Sequence, residues 1–101
     1  MSKTLEKLVK TISLREGKDV KASYTSFLLS KGNEYCLDKL KEELTELEDS
    51  IKKDKNKVHE AADVIYHLLV TLKSAGINFD GIMKELKNRE GTSGFDEKKN
   101  R

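Results

Sequence analysis

The chain has 101 residues with a formal net charge of +2, 38% charged and 36% apolar residues, no proline and one cysteine. That balance fits one small, strongly amphipathic helical domain. It excludes a duplex nucleic-acid binder, which would concentrate basic residues on one face, and a membrane-spanning chain, which needs a run of ~18 apolar residues. The start, Met1-Ser2-Lys3-Thr4, lacks a secretory apolar core, and the single Cys36 has no internal disulfide partner, so the expected location is the cytoplasm. A domain of this size buries only about two-thirds of its unfolded surface, which makes a homodimer the expected way to complete the core.

Leu5, Leu8, Val9 and Ile12 follow helical spacing and predict a short amphipathic helix over about Thr4 to Ser13. Arg15 to Lys21 reads as a loop around Gly17. Ser23 to Gly32 reads as a short helix or ordered loop, with Ser23 as N-cap and Gly32 as stop. A long helix is expected from about Glu34 to Lys53, with Cys36, Leu40, Leu44, Leu47 and Ile51 as its apolar stripe and Cys36 as a small core residue. Asp54 to Lys57 breaks the pattern with a turn. A markedly apolar helix follows from about Val58 to Ala75, stopped by Gly76. A last helix begins at Asn78 as cap, with Ile77 and Ile82 spaced as a hydrophobic staple, and fades by Arg89. No segment alternates like a strand. The expected fold is all-α, an antiparallel helical bundle completed by dimerisation. It forms a single domain over residues 1–101, with a mobile polar tail at about 90–101.

The two long central helices carry acids in a pattern. Glu42, Glu43 and Glu46 lie within about 100° of arc on the first. After thirteen intervening residues, Glu60 and Asp63 follow one turn apart on the second, and His67 shares their face. The second helix is apolar enough to be largely buried, with Ala61, Ala62, Ile65, Leu68, Leu69 and Leu72 opposite its acids and no Lys or Arg before Lys73. Buried carboxylates cost several kcal/mol unless paired or bound to a cation. A short turn between antiparallel helices brings the two acid groups opposite each other, and all-oxygen donors suit Mg²⁺, with Mn²⁺ as the alternative. The bland alternative is a solvated face, with Lys39 and Glu43 spaced for an ordinary i, i+4 pair.

The E-E-x-x-E and E-x-x-D pairing resembles the all-α MazG-type nucleoside-triphosphate pyrophosphohydrolases. Ser23-Tyr24-Thr25, Lys31-Gly32, Lys39, Glu42-Glu43, Glu46, Glu60 to Val70, and Arg89, Ser93-Gly94, Glu97-Lys98 and Arg101 resemble more closely the phosphoribosyl-ATP pyrophosphohydrolase family. The resemblance covers roughly residues 5 to 101. The chain departs at Leu40-Lys41 and Leu44, where the family has Val-Gly and Ala; Lys41 is expected to point away from the acids. The resemblance implies an all-α dimer that cleaves phosphoribosyl-ATP to phosphoribosyl-AMP and pyrophosphate with Mg²⁺, a step of histidine biosynthesis. In that reading Glu43, Glu46, Glu60 and Asp63 hold the metal, and Glu42 orients or deprotonates water or serves as a fifth ligand. His67 is a substrate contact, a support behind the ligands, or a satisfied buried histidine. Lys39 is a phosphate contact or an exposed lysine. Ser23, Tyr24 and Thr25 are substrate contacts or a helix cap, and Arg89, Ser93, Lys98 and Arg101 close over phosphates or belong to a polar end. Two other functions stay open: a house-cleaning enzyme for other nucleoside triphosphates, and a non-catalytic helical interaction module.

Overall fold

The computed structural model describes residues 3–91. Within them the apolar periodicity becomes five helices and no strand: α1 Lys3–Arg15, α2 Tyr24–Lys31, α3 Asn33–Lys53, α4 Lys57–Ser74 and α5 Phe79–Asn88. The Ser23–Gly32 stretch resolves as a helix. Ser23 Oγ accepts the Ser26 N–H at 3.2 Å, and Gly32, at φ 89°, separates α2 from α3.

The connection from α3 to α4 is Asp54-Lys55-Asn56. Asp54 (φ 53°) and Asn56 (φ 58°) both adopt the left-handed conformation, which short polar side chains tolerate better than other non-glycine residues. The Lys55 N–H reaches back to the Ser50 carbonyl at 3.0 Å and the Asp54 N–H to that of Ile51 at 3.3 Å, the Schellman pattern of a helix end. So short a turn forces antiparallel neighbours, and α3 against α4 is the most extensive helix contact in the molecule. Register is fixed at the far end of the hairpin. The Thr71 hydroxyl is shared between the carbonyls of His67 (2.7 Å) and Cys36 (3.3 Å), and Ser74 Oγ donates to Asn33 Oδ1 at 2.7 Å.

Helices α1 and α2 lie over one face of this hairpin. The core between them is Ile12, Leu28, Cys36, Leu69 and Val70. Cys36 donates its thiol to the Leu28 carbonyl at 3.3 Å, and Ser26 Oγ donates to the Arg15 carbonyl at 2.7 Å, which ties α2 to both neighbours. Burial pushes the Cys36 thiol pKa up, as expected of a core residue rather than a nucleophile.

Contrary to the expectation that α4 is largely buried, within one subunit much of it is exposed. Its covered side is His67, Leu69, Val70 and Thr71, whereas Ile65 and Leu68 are 48% and 41% exposed and Val58 is 86% exposed. The cause is topological: α1 and α2 reach only one face of the hairpin. On α3, Leu37, Leu44 and Ile51 are exposed too, at seven-residue spacing. No helix among the described residues is long and apolar enough to cross a membrane.

Helix α4 ends on a second Schellman motif: Gly76 N–H to Lys73 carbonyl at 3.1 Å and Ile77 N–H to Leu72 carbonyl at 2.9 Å, with Gly76 at φ 73°. Asn78 Oδ1 then caps α5 by accepting the N–H groups of Asp80 (2.7 Å) and Gly81 (3.3 Å), and Ile77 and Ile82 line one groove beside it. A Cβ at Gly76 would meet nothing within 4 Å, so Gly76→Ala tests conformation alone. It is expected to cost about 1 kcal/mol, or roughly 4–8 °C in melting temperature. Urea unfolding at fixed protein concentration checks this; an unchanged midpoint contradicts the assignment.

Candidate active site

Counting equal steps from the Cys36–Thr71 bond toward the turn sets Glu43 level with Val64 and Glu46 level with Ala61, each one residue from Asp63 and Glu60 respectively. Carboxylate oxygens of Glu43, Glu46 and Glu60 lie within 4.8 Å of one another. Glu43 and Glu60 are half-buried and Glu46 is exposed. The Oε2 atoms of Glu43 and Glu60 are shielded from solvent and have no hydrogen-bond partner. Burial first, then a hydrogen bond that the neutral Glu43 carboxyl donates to Glu46, and the negative charges of Glu46, Asp63 and Glu60, raise the Glu43 pKa from 4.5 to about 7. No lysine or arginine answers these four acids among the ion pairs of the described residues.

Asp63 stands at the edge of this group and turns toward a residue the sequence reading did not single out. His59 Nε2 lies 3.3 Å from Asp63 Oδ2, and His59, Glu60 and Asp63 form a second group of donors within 4.8 Å, with Glu60 common to both. The signal was present in the sequence: His59 precedes Asp63 by four residues, which puts the two on one helical face.

Glu42 is not gathered with the acids. It is exposed and bound to Lys39 Nζ at 3.1 Å. Lys39 therefore pairs at i, i+3 with Glu42 instead of at i, i+4 with Glu43, and this contact holds its pKa above the usual range. Lys39 and Lys31 both approach the Tyr35 ring, with Nζ 5.5 and 5.2 Å from its centroid. The two lysines thus make a basic rim at the α2–α3 junction, of which the sequence reading had named only Lys39 as a site residue.

The Ser23-Tyr24-Thr25 segment is buttoned to α4 through consecutive side chains. Ser23 is the α2 cap. Tyr24 Oη lies 3.5 Å from His67 Nε2, and the Thr25 and Tyr66 hydroxyls share a short hydrogen bond. His67 is 6% exposed, and its Nδ1 lies 2.9 Å from the Asp63 carbonyl. A carbonyl can only accept, so Nδ1 carries the proton and Nε2 accepts from Tyr24. Both ring nitrogens are thus engaged within the protein. Arg89, the C-cap of α5, binds Glu85 of that helix at 3.2 Å. Ser93, Lys98, Arg101 and most of the expected tail lie outside the described residues.

The site is thus a carboxylate cluster on a helical hairpin, flanked by lysines and hydroxyls, in an all-α protein. The phosphoribosyl-ATP pyrophosphohydrolase family model matches residues 5–90. A protein of Paracoccus denitrificans named phosphoribosyl-ATP pyrophosphatase is 42% identical over 99 residues, covering 96% of this chain and 92% of the relative. Proteins of the same name from Rhodobacter capsulatus and Jannaschia sp. are each 43% identical, over 93% and 96% of this chain and 93% and 97% of the relatives. The chain belongs to the phosphoribosyl-ATP pyrophosphohydrolase family.

The raised Glu43 pKa sets a stability prediction. The folded state favours its neutral form, so this proton's contribution to stability is complete below about pH 4.5, fades as pH rises, and is gone above about 7. Glu43→Gln is neutral at every pH. In EDTA the variant should melt close to wild type near pH 4.5 and progressively above it as pH rises to 7, with the gap constant beyond. A gap in melting temperature that does not change between pH 5 and 8 contradicts the assignment.

Proposed function

We propose that this chain is a cytoplasmic, Mg²⁺-dependent homodimeric hydrolase that cleaves the α–β phosphoanhydride of phosphoribosyl-ATP, giving phosphoribosyl-AMP and pyrophosphate in histidine biosynthesis. The substrate follows from the family and the names of the relatives. The observation that carries the metal reading is the pair of buried, partnerless oxygens on Glu43 and Glu60 within the acid cluster. Four carboxylates without an answering lysine or arginine fit Mg²⁺, with Mn²⁺ as the alternative, and Glu43, Glu46, Glu60 and Asp63 are the residues that would hold it. When bound, such an ion supplies charge neutralisation for the triphosphate and the departing pyrophosphate.

The protein's own groups divide the remaining work. Water adds to the α-phosphorus as the bond to the α–β bridging oxygen breaks, and pyrophosphate leaves with that oxygen. Glu42, exposed beside Glu43 and outside both donor groups, orients this water and takes its proton. Lys39 lies where it can exchange its bond to Glu42 for a phosphate oxygen. Tyr24 presents its half-exposed ring to substrate while His67 holds its hydroxyl. Ser23 and Thr25 fix the backbone of that segment and contact substrate, and Arg89, Ser93, Lys98 and Arg101 are the residues that contact the phosphates. The homodimer reading is supported by the apolar face of Leu37, Leu44, Ile51, Val58, Ile65 and Leu68 that α1 and α2 leave open. Seven-residue spacing on α3 suits a helix-on-helix seam with a second hairpin.

Chromatography of products from phosphoribosyl-ATP and a panel of nucleoside triphosphates, with Mg²⁺ or EDTA, tests the activity. Pyrophosphate release confined to phosphoribosyl-ATP and abolished by EDTA is expected; release mainly from the other triphosphates makes this the house-cleaning enzyme, and none from any substrate leaves an interaction module. Asp63→Asn removes a ligand charge while keeping size, so it should lose turnover by about a hundredfold or more with little change in metal-free melting temperature. Wild-type turnover removes Asp63 from the site. Sedimentation equilibrium at micromolar concentration should give twice the chain mass, and a clean 11.5 kDa species refutes the dimer.

A further inference from the structure

We propose that His59 adds a nitrogen donor to the carboxylate site, so that His59, Glu60 and Asp63 together select a borderline first-row cation of the Zn²⁺ or Co²⁺ class. This rests on the reading of the acids as a cation site, and the test below separates the two. Three observations carry it. His59 Nε2 and Asp63 Oδ2 are 3.3 Å apart, and a ligand atom of Glu60 lies within 4.8 Å of both. All three residues stand on the first two turns of α4, which holds them without any movement of the core. Glu60 is common to this group and to the group with Glu43 and Glu46, and its Oε2 atom is shielded from solvent and has no hydrogen-bond partner in the protein.

On an α-helix, Asp63 projects between His59 and Glu60 in rotation about the axis, and the three span about 100° of arc. One face of one helix therefore offers a nitrogen flanked by two carboxylates, while α3 contributes oxygen alone. The His59 ring is 73% exposed, so an ion can reach it directly from water. The two kinds of donor discriminate between ions. Mg²⁺ takes oxygen ligands and keeps its waters, so an added imidazole changes its affinity little. Zn²⁺ and Co²⁺ take imidazole readily, and each such ligand raises their affinity. The Glu43, Glu46 and Glu60 group is then the hard end of the site and the His59, Glu60 and Asp63 group the borderline end, with Glu60 the carboxylate they share.

The alternative is an ordinary surface contact between His59 and Asp63, worth little. Calorimetric titration of the metal-free, full-length chain with Zn²⁺ alone and with Mg²⁺ alone decides between them, using wild type, His59→Ala, His59→Asn and Glu60→Gln. Both His59 variants are expected to fold, because the ring is exposed, and to weaken Zn²⁺ by about tenfold or more while leaving the Mg²⁺ affinity near wild type. Glu60→Gln should weaken both ions. Equal Zn²⁺ affinity in wild type and the His59 variants overturns the proposal and leaves the carboxylate reading standing. Equal losses of both ions in the His59 variants also overturn it, because the residue then acts on the fold and not as a selective donor. If wild type binds neither ion, both readings fall together.

Discussion

Like charges held together at the middle of the α3–α4 hairpin are the constraint on which the rest of the structure depends. Each ionised carboxylate taken partly out of water costs free energy, and each neighbour of the same sign adds to that cost. A chain under no other demand would turn these side chains outward. Here the backbone leaves Glu43 and Glu60 little choice. The Asp54-Lys55-Asn56 turn and the Thr71–Cys36 hydrogen bond fix the register at opposite ends of the hairpin, so the acids meet at mid-length whatever their mutual repulsion. The core on the other face supplies the opposing free energy. Burying Leu28, Leu69 and Val70 stabilises the fold by about 1.5–3 kcal/mol each. Glu43 yields by keeping its proton toward neutrality rather than by moving.

The same register makes α2 part of the site. It is only eight residues long, too short to persist alone, and it is held by its ends. Ser26 fastens it to the last turn of α1, Cys36 to α3, and Tyr24 and Thr25 to α4 one turn beyond Asp63. His67 links the two functions of α4. Its Nδ1–H donates to the carbonyl of Asp63 and its Nε2 meets the Tyr24 hydroxyl, so the tautomer that suits the helix backbone is also the one that orients Tyr24. A change at His67 therefore acts on the placement of α2 as well as on the helix that carries Asp63.

Much of this was legible in the sequence, and the parts that were not share a physical reason. The bounds of α3 and α4 follow from apolar spacing and from a turn rich in Asp, Asn and Lys. The approach of Glu43, Glu46 and Glu60 follows from helical periodicity and the antiparallel geometry a short turn imposes. The burial of α4 was misjudged because apolar residues lie almost all round it, so its pattern does not say which side meets α1 and α2. Spacing matches Lys39 to Glu43, whereas in the structure it pairs with Glu42, which is equally reachable from one turn below. Burial of Glu43 decides it, and burial is a tertiary property. The same holds for His59. Its spacing to Asp63 is plain, but an exposed histidine beside an aspartate carries no message until Glu60, common to both donor groups, is placed next to it.

The two faces of the hairpin then divide the labour of a small chain. One face is covered by α1 and α2 and anchors the register. The other keeps Leu44, Ile51, Ile65 and Leu68 in contact with water, an arrangement that costs stability in a lone subunit unless a second surface covers it. Along α4 the acids occupy the same turns as the exposed Ile65 but project from the other side of the helix. On α4, coverage of the open face and neutralisation of the acids fall to opposite sides of one rigid helix, because Asp63 and His67 share a face and Ile65 lies about 200° from each in rotation about the axis.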